Sequence, residues 1–409
     1  MRKFVRPTSK DASQEPQQPV GKVLTFCYPC TSLFPLERPP VRRTVTSLQS
    51  VHWHFNFQDI MRSYKLVAWG QEGQYVESPK PVPGPADVLI RVKAVGLCRS
   101  DLDMMDSQPG SDPYASAIDA NYILGHETSG VVEDLGSSIT DLFKGESVVV
   151  HHMRHCGFCN FCEAGVEQHC EYFKRGAIGM TRGCGFDGGL AEYLVVPRTE
   201  IVSIGHEDPV LYAPLTDAGV TAYASCKDVI RNARPGQYVL VIGIGGLGSY
   251  AIQFLRLLTS VRIIAADNSS ERLALAKVLG ADESILSDVN SKAELDRITF
   301  NRGVDGVVDF VGSDATLQLA ASVVRPQGFV SVPGMQGGSV RLGWNLIATS
   351  AKFSLSLGST RQDLREVCQL AKEGKLRIEV DRFSFDEIPK AYQQLRDGKL
   401  KGRAVIVMD

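Results

Sequence analysis

The chain has 409 residues, of which 44% are hydrophobic and 22% are charged, and its formal net charge is −2. This length predicts two or three domains, and this composition is typical of a globular protein with a large core. The balanced charge gives no general positive field for nucleic acid, and no apolar run is long enough to span a bilayer. We therefore expect neither a nucleic-acid partner nor a membrane partner.

The first sixty residues have no regular pattern. They contain Glu-Pro-Gln-Gln-Pro at residues 15–19 and a Pro-Pro pair at residues 39–40, without a sustained apolar period. Such a segment buries too little apolar surface to offset the entropy lost on ordering. We therefore predict a disordered extension over residues 1–60. A mitochondrial presequence is the alternative, but acidic residues and prolines interrupt the amphipathic helix that it would need.

Short β-rich runs alternate with glycine turns from about residue 61 to residue 150, and residues 88–92 and 130–133 are two of them. This alternation predicts a β-rich domain.

Three motifs carry side chains that can bind a catalytic zinc. Cys98 follows a predicted strand, His126 lies in Leu-Gly-His-Glu, and Asp217 lies in Pro-Leu-Thr-Asp-Ala-Gly. A thiolate, an imidazole and a carboxylate leave the fourth position of a tetrahedral zinc for water or substrate. Taken singly, Cys98 is equally well explained as a small buried residue, and His126 as a turn histidine with satisfied hydrogen bonds.

Four further cysteines form a compact cluster in the sequence. Cys156, Cys159, Cys162 and Cys170 are separated by two, two and seven residues. Four thiolates can close a tetrahedral shell around zinc, which leaves no position for substrate, so we predict a structural zinc lobe at about residues 151–172. An iron–sulfur cluster is the rival, although ferredoxin runs close with a three-residue gap and Cys-Pro. A nucleic-acid zinc finger is a weaker rival, because a histidine-type ligand pair and basic surroundings are missing.

A glycine turn follows the next predicted strand, and an apolar helical pattern follows the turn. The turn reads Gly243-Ile244-Gly245-Gly246-Leu247-Gly248. Strand, Gly-x-Gly-x-x-Gly and helix together are the fingerprint of dinucleotide binding. Gly243 permits the tight turn, Gly245 lets the backbone approach a pyrophosphate, and Gly248 lets the helix pack against the strand. The helix N-terminus would face the phosphates.

Asp267 ends the following predicted strand, residues 261–266. An acidic group there accepts hydrogen bonds from the adenosine ribose and repels a 2′-phosphate. No arginine follows Asp267 directly, so the sequence favours NAD over NADP. Asn268 and Glu271 also have the spacing of a helix-capping pair, so we expect a helix to start at this point.

Strands alternate with helices from about residue 215 to residue 355, which predicts a parallel sheet with right-handed crossovers. Residues 307–311 and 328–333 are later strands of this sheet. The cleft between this domain and the β-rich domain is the expected reaction site.

From about residue 61 to residue 409 the whole pattern resembles the zinc-dependent medium-chain alcohol dehydrogenases. Five motifs carry the resemblance: Gly-x-Cys-x-Ser-Asp at Cys98, Gly-His-Glu at His126, the four-cysteine lobe, the glycine turn, and Thr360-Arg361. The segment around Asp217 is closest to the bacterial branch active on secondary alcohols, in which an aspartate replaces the third-ligand cysteine of the liver enzymes.

The resemblance implies an α/β protein with two kinds of domain. A GroES-like β-barrel catalytic domain would cover residues 61–213, and a Rossmann domain with a doubly wound parallel sheet would cover residues 214–355. Residues 356–409 would return to the catalytic domain. Two zinc ions and NAD would be the cofactors.

The resemblance also implies roles around the catalytic zinc. Cys98, His126 and Asp217 would hold the ion, and Glu127 would be the nearby carboxylate that can exchange onto it. Asp101 would orient His126 through its other ring nitrogen.

Further implied roles concern the proton and the cofactor. Ser100 would carry the alcohol proton, Arg99 would face the pyrophosphate, Thr221 would face the nicotinamide, and Arg361 would be a further cofactor contact. Many relatives have a histidine five residues after the first cysteine as the outer end of the proton relay. This chain has Asp103 there, so a carboxylate or water must replace that histidine.

The predicted reaction is reversible hydride transfer between a secondary alcohol and NAD, with zinc as the Lewis acid. A small alcohol or ketone is the expected partner, and the enzyme is expected to be a homodimer or homotetramer. A polyol dehydrogenase or a zinc-independent reductase of the same superfamily is one alternative. A nucleotide-binding protein without turnover is the other, but Cys98, His126 and Ser100 are all present.

Zinc ligation accounts for five of the ten cysteines. The others are mostly dispersed, and the sequence has no secretory signal, so we expect a reducing compartment and a cytoplasmic location.

Overall fold

A computed structural model describes residues 60–409, apart from residues 110–118, 176–177, 180 and 232. The predicted disordered extension therefore lies outside the described residues except for Ile60, which begins the first strand. No helix in the described part of the chain is long and apolar enough to cross a membrane.

The strands in chain order are β1 (Ile60–Leu66), β2 (Gln74–Pro79), β3 (Asp87–Gly96), β4 (Tyr122–Ile123), β5 (Glu127–Leu135), β6 (Ser147–Val150), β7 (Lys174–Arg175), β8 (Ile178–Gly179), β9 (Thr181–Arg182), β10 (Gly185–Phe186), β11 (Tyr193–Pro197), β12 (Ile201–Gly205), β13 (Tyr238–Ile242), β14 (Arg262–Asp267), β15 (Glu283–Leu286), β16 (Val304–Asp309), β17 (Val324–Val332), β18 (Lys352–Leu355), β19 (Val380–Ser384) and β20 (Arg403–Val407). The α-helices are α1 (Arg99–Asp106), α2 (Asn160–Glu163), α3 (Pro209–Tyr212), α4 (Ala218–Ile230), α5 (Gly246–Leu258), α6 (Ser270–Leu279), α7 (Ser291–Thr299), α8 (Asp314–Val323), α9 (Arg361–Lys372) and α10 (Ile388–Arg396). Short 3₁₀ helices cover Glu167–His169, Arg198–Glu200, Ala213–Thr216 and Phe385–Glu387.

A largely antiparallel sheet forms the first part of the fold. Its strands run in the order β12, β6, β5, β3, β20 and β19, and β11 pairs with β3. Strands β3 and β5 pair in a register that sets Gly96 opposite Glu127, and β20 pairs with the same end of β3. The last strands of the chain therefore return to the first sheet, and they meet β3 where its C-terminal end approaches β5.

A six-stranded parallel sheet forms the second part, in the order β15, β14, β13, β16, β17 and β18. Every residue of β13 and β16 is buried, because helices cover both faces of such a sheet. The strand order reverses between β13 and β16. Ligands of open α/β sheets bind at this point, beyond the carboxyl ends of the strands.

The predicted element types around the dinucleotide turn agree with the structure, but two boundaries differ. The helix after the turn begins at Gly246, three residues earlier than the apolar pattern suggested, so the turn itself forms the first part of α5. The predicted capping residue Asn268 is wrong by one position. Ser269 is the N-cap of α6, and its side chain accepts a hydrogen bond from the Arg272 amide.

Helix α4 connects the two sheets. Most of its residues are buried, and its first turn follows Asp217 directly. Leu364 and Val367 of α9 pack into the same apolar cluster as Leu215 and Val220. The end of α4 that carries Asp217 is thus fixed between the antiparallel sheet and the glycine turn.

Candidate active site

Four metal-binding side chains converge where β3 ends and β5 begins. One ligand atom from each of Cys98, His126, Glu127 and Asp217 lies within 4.8 Å of the others. Asp217 Oδ2 is 3.5 Å from Cys98 Sγ and 3.5 Å from His126 Nε2. A buried thiol, an imidazole and carboxylates form a donor set that fits zinc.

The register of the sheet explains this convergence. Cys98 follows β3 and precedes α1, while His126 precedes β5, so the pairing of the two strands brings both residues to one edge. Gly96 is required at this edge because a Cβ atom there would overlap the Glu127 carboxylate. Asp217 comes from the start of α4 and completes the group.

Asp101 orients two members of the group. Its Oδ1 lies 3.1 Å from His126 Nδ1, and its Oδ2 accepts a 2.9 Å hydrogen bond from the Cys98 amide. Burial opposes a positive charge on His126, but Asp101 raises the pKa of His126 well above its usual value. Burial likewise favours a neutral Asp217, yet His126 holds the pKa of Asp217 far below its usual range. Asp101 and Asp217 therefore face opposite ring nitrogens of His126.

Arg403 is a site residue that the sequence analysis missed. Its Nε donates a 3.0 Å hydrogen bond to Glu127 Oε2, and its Nη2 binds Glu127 Oε1 and lies 3.8 Å from Asp217 Oδ2. The Ala218 amide donates to the same carboxylate at 3.2 Å. Burial raises the pKa of Glu127, and Arg403 opposes that rise. Arg403 is 276 residues from Glu127, so no local pattern could have linked them.

The cleft beside the ligand group is lined by residues from both sheets. Cys98, His126 and Asp217 contribute from one side, and Leu247 and Phe310 from the other. The predicted residues Arg99, Ser100, Asp103 and Thr221 also line it.

The contacts of three of these predicted residues are as follows. Ser100 Oγ lies 3.7 Å from Cys98 Sγ, and Thr221 Oγ1 donates a 3.0 Å hydrogen bond to Asp217 Oδ1. Burial raises the pKa of Asp103, and Arg99 opposes that rise.

His152 is a second cleft residue that the sequence analysis missed. Its Nδ1 lies 2.8 Å from the Thr216 carbonyl oxygen, and its Nε2 lies 3.8 Å from Asp217 Oδ1. Burial lowers the pKa of His152. The only sequence signal was its position shortly before the cysteine lobe, in the doublet His151-His152.

The four lobe cysteines form a second ligand group, with all sulfur atoms within 4.8 Å of one another. Sγ of Cys162 is 3.8 Å from that of Cys156 and 3.5 Å from that of Cys159. The amides of Cys156 and Cys159 point to sulfur atoms at 3.3 Å. The Glu171 amide lowers the pKa of Cys159 to about 6. Four sulfur donors in this arrangement fit a closed zinc shell.

The glycine turn fits a dinucleotide. Gly243 has φ of +84°, and a side chain on Gly248 would collide with the Gly243 carbonyl. A Cβ atom on Gly245 would meet no protein atom within 4 Å and would project into open space next to the cavity that Gly245 lines. A Cβ atom on Gly246 would lie 2.5 Å from Arg403 Nη1. Arg403 therefore reaches both the Glu127 carboxylate and the turn that would hold a pyrophosphate.

Asp267 lies at the carboxyl end of β14, next to the turn. Its Oδ2 accepts a 2.7 Å hydrogen bond from the Ile244 amide, and its Oδ1 accepts one of 2.9 Å from the Ser269 amide. Arg272 Nη1 lies 3.9 Å from Asp267 Oδ2 and lines the same cavity. No arginine follows Asp267 directly in the sequence, but the first turn of α6 carries Arg272 back to this point.

Arg361 lies beside the cysteine lobe and not beside the glycine turn. Its amide donates to Glu167 beside the cysteine lobe at 2.6 Å, and its Nη1 donates to the Thr199 carbonyl at 2.7 Å. It is absent from the described residues that line the two cavities next to the glycine turn. The prediction of a cofactor contact at Arg361 is therefore corrected. Arg361 connects α9 to the lobe, and the arginine beside the turn is Arg403.

Two family models match most of the described chain. The alcohol dehydrogenase GroES-like domain matches residues 84–206, and the zinc-binding dehydrogenase domain matches residues 246–373. An NAD-dependent alcohol dehydrogenase of Sulfurisphaera tokodaii is 31% identical over 354 residues, which are 85% of this chain and 100% of that protein. The chain belongs to the zinc-binding alcohol dehydrogenase family.

Solved structures of this family share the fold. The crystal structure of the alcohol dehydrogenase from the archaeon Aeropyrum pernix has a TM-score of 0.78 at 32% identity, over 85% of this chain and 99% of that one. The D-arabinose dehydrogenase from Sulfolobus solfataricus has a TM-score of 0.70 at 26% identity, over 85% and 99%.

Membership of the zinc-binding alcohol dehydrogenase family confirms the predicted class of oxidoreductase and the α/β fold with its GroES-like and Rossmann parts. The two ligand groups and the dinucleotide turn, together with the family, confirm two zinc ions and NAD as the cofactors. The narrower assignment to the bacterial branch stays a prediction.

For the lobe, we predict that Cys159→Ala removes one zinc per chain and lowers the melting temperature by several degrees, because the folding contribution of the metal is lost. Turnover per folded molecule should change far less. Metal analysis, calorimetry and rate measurements on the folded fraction check this. Cys226→Ala, a buried non-ligand cysteine, is the control. A stable Cys159 variant without turnover would contradict a structural role.

For Arg403 and Arg361, we predict that substitution by lysine has different effects. Arg403→Lys should weaken NADH binding about tenfold, because a point charge cannot keep both charge-assisted contacts. Arg361→Lys should lower the melting temperature and leave the NADH dissociation constant within about twofold. Fluorescence titration and calorimetry measure the two effects. Equal loss of NADH affinity in both variants would restore Arg361 as a cofactor residue.

Proposed function

We propose that this protein oxidises a secondary alcohol to a ketone with NAD, reversibly, at a zinc held by Cys98, His126 and Asp217. One observation carries the proposal: the ligand group and residues of the nucleotide-binding sheet line the same cleft. The hydride donor and acceptor can meet only where both sides are within reach.

The chain's own residues supply the coordination geometry. Cys98, His126 and Asp217 hold the ion, and Asp101 keeps the His126 ring oriented from behind. When bound, zinc supplies Lewis acidity that lowers the pKa of the alcohol hydroxyl. Glu127 forms an ion pair with Arg403. Its carboxylate therefore stays next to the zinc ligands, where it can exchange onto the metal.

The proton leaves through Ser100. Its hydroxyl lies beside Cys98 and lines the cleft together with Asp103. A hydroxyl can accept and donate a proton without a net change of charge, and Asp103 or a water at the mouth receives it. Asp103 is exposed and lines the cleft, so its carboxylate can exchange a proton with solvent.

The residues that bind NAD are arranged around the glycine turn. Gly243, Gly245, Gly246, Leu247 and Gly248 hold the pyrophosphate at the N-terminus of α5. Arg99 and Arg403 neutralise the phosphates, Thr221 faces the nicotinamide, and Asp267 binds the adenosine ribose. Residues 214–355 form the NAD-binding domain in this assignment, and residues 61–213 with 356–409 form the catalytic domain.

A homodimer or homotetramer in the cytoplasm is part of the same proposal. Leu342, Trp344 and Leu355 are exposed apolar side chains at or before β18, which is the edge strand of the parallel sheet. Such a patch favours association. None of the eight described cysteines is in a disulfide, which fits a reducing compartment.

The direct test is NAD reduction with a panel of secondary alcohols. Cys98→Ser should lower turnover by more than about a hundredfold, since even the outer partners of zinc ligands contribute 10- to 100-fold. NAD binding should survive, because the glycine turn is separate from Cys98. Metal analysis should show one zinc lost per chain. Undiminished activity of the metal-depleted variant would refute the mechanism.

Asp267 and Arg272 give a second test. Asp267→Ser should raise kcat/KM with NADP relative to NAD by about 10- to 100-fold, because Arg272 is then free to bind the 2′-phosphate with charge-assisted hydrogen bonds. The double variant with Arg272→Ala should lose most of that gain. Steady-state kinetics with both cofactors measure the ratio. If the unaltered enzyme already prefers NADP, the role of Asp267 is wrong.

A further inference from the structure

Two consecutive histidines after β6 contact both of the connections between the two sheets. The chain passes between the antiparallel and the parallel sheet twice, first between β12 and β13 and again between β18 and β19. Nδ1 of His152 lies 2.8 Å from the carbonyl oxygen of Thr216, on the first connection. Nε2 of His151 lies 3.0 Å from the carbonyl oxygen of Ser359, on the second connection. One short segment therefore contacts both connections.

The contact of His151 with the second connection is fully buried. His151 and Ser359 each have 0% of their surface exposed. A carbonyl oxygen only accepts hydrogen bonds, so Nε2 of His151 carries the ring proton and donates it. Nδ1 of the same ring has no hydrogen-bond partner among the described residues. The ring therefore directs its donor to the connection, and loss of that donor from a buried carbonyl oxygen is unfavourable.

The second connection forms one wall of the reaction cleft. Ser356, Leu357 and Gly358 line the cleft. They follow β18 directly, beyond the carboxyl ends of the parallel strands, where ligands of open α/β sheets bind. A Cβ atom on Gly358 would lie 2.7 Å from Met153 Sδ, so Met153 packs closely against this wall. His151 is buried behind the wall and holds the residue that follows it.

We propose that His151 is a positioning residue, whose hydrogen bond to Ser359 holds the cleft wall of residues 356–358 in the place that hydride transfer requires. This inference rests on the alcohol dehydrogenase function proposed above. The reacting atoms must stay about 3–3.5 Å apart, and a displacement of about 1 Å caused by a distant residue can lower the rate about a hundredfold. The glycine turn binds the pyrophosphate without His151, so cofactor affinity depends on this residue far less than turnover does.

Three substitutions of His151 test the hydrogen bond. His151→Phe keeps a ring without a donor, His151→Asn has a donor that is too short to reach, and His151→Gln retains a donor of similar reach. With the best secondary alcohol of the panel, the first two should lower kcat about 10- to 100-fold, and His151→Gln should recover most of it. The NADH dissociation constant should stay within about twofold, because the turn still binds the pyrophosphate. Unchanged kcat in the folded Phe or Asn variant would overturn the inference.

A matched control separates positioning from general loss of stability. Thr299 is buried, its Oγ1 donates a 2.7 Å hydrogen bond to the Leu295 carbonyl, and it is not one of the described residues that line the cleft. Thr299→Val therefore also removes one buried bond from a side chain to a carbonyl oxygen. It should lower the melting temperature and leave kcat per folded molecule unchanged. An equal loss of kcat in the Thr299→Val and His151→Phe variants would overturn the positioning role.

Amide hydrogen exchange, followed by mass spectrometry, gives a readout that does not depend on turnover. In His151→Phe or His151→Asn, a peptide covering residues 356–360 should exchange about tenfold faster, which corresponds to the loss of one hydrogen bond. A peptide covering residues 213–217 should be unchanged, because His152 still contacts Thr216. Faster exchange in both peptides, or in neither, overturns the inference and leaves the proposed function standing. Failure of every alcohol to reduce NAD refutes the proposed function, and the role of His151 in hydride transfer falls with it.

Discussion

The buried ion pair between Arg403 and Glu127 is the interaction on which the site depends. Glu127 is fully buried and Arg403 is 8% exposed, so either charge alone would be strongly unfavourable. The pair joins the last strand of the chain to the start of β5, and the Ala218 amide at the start of α4 completes the cluster. The Glu127 carboxylate thereby connects three elements: β5, β20 through Arg403, and the start of α4 through the Ala218 amide.

This arrangement couples the metal side of the cleft to the cofactor side. Arg403 lies near Asp217 and also beside Gly246 of the dinucleotide turn. A phosphate bound at the turn and a cation bound by the ligand group would both act on the same guanidinium. Once the Arg403 guanidinium is bound to Glu127, its side chain has few alternative rotamers. Arg403 therefore fixes the position of the bound phosphate relative to the bound cation.

Much of this protein could be predicted from its sequence because its chemistry is local. The cysteine spacing, the glycine turn and Gly-His-Glu each lie within a short segment, and each predicted its ligand class. Arg403, His152 and Arg272 were missed because their partners are set by strand pairing and helix geometry rather than by spacing. Arg361 was misassigned because a motif near the C-terminal end indicates that an arginine is present but not which surface it faces.

The separation of Arg403 from Glu127 has a consequence for biosynthesis. The two residues are 276 positions apart. At translation rates of about 5–20 residues per second, the carboxylate waits on the order of 15–55 s for its counter-charge. During that interval Cys98 and His126 belong to a nascent chain whose last strand has not been made. The ion pair that surrounds the metal ligands can therefore form only after the last strand of the chain has been synthesised.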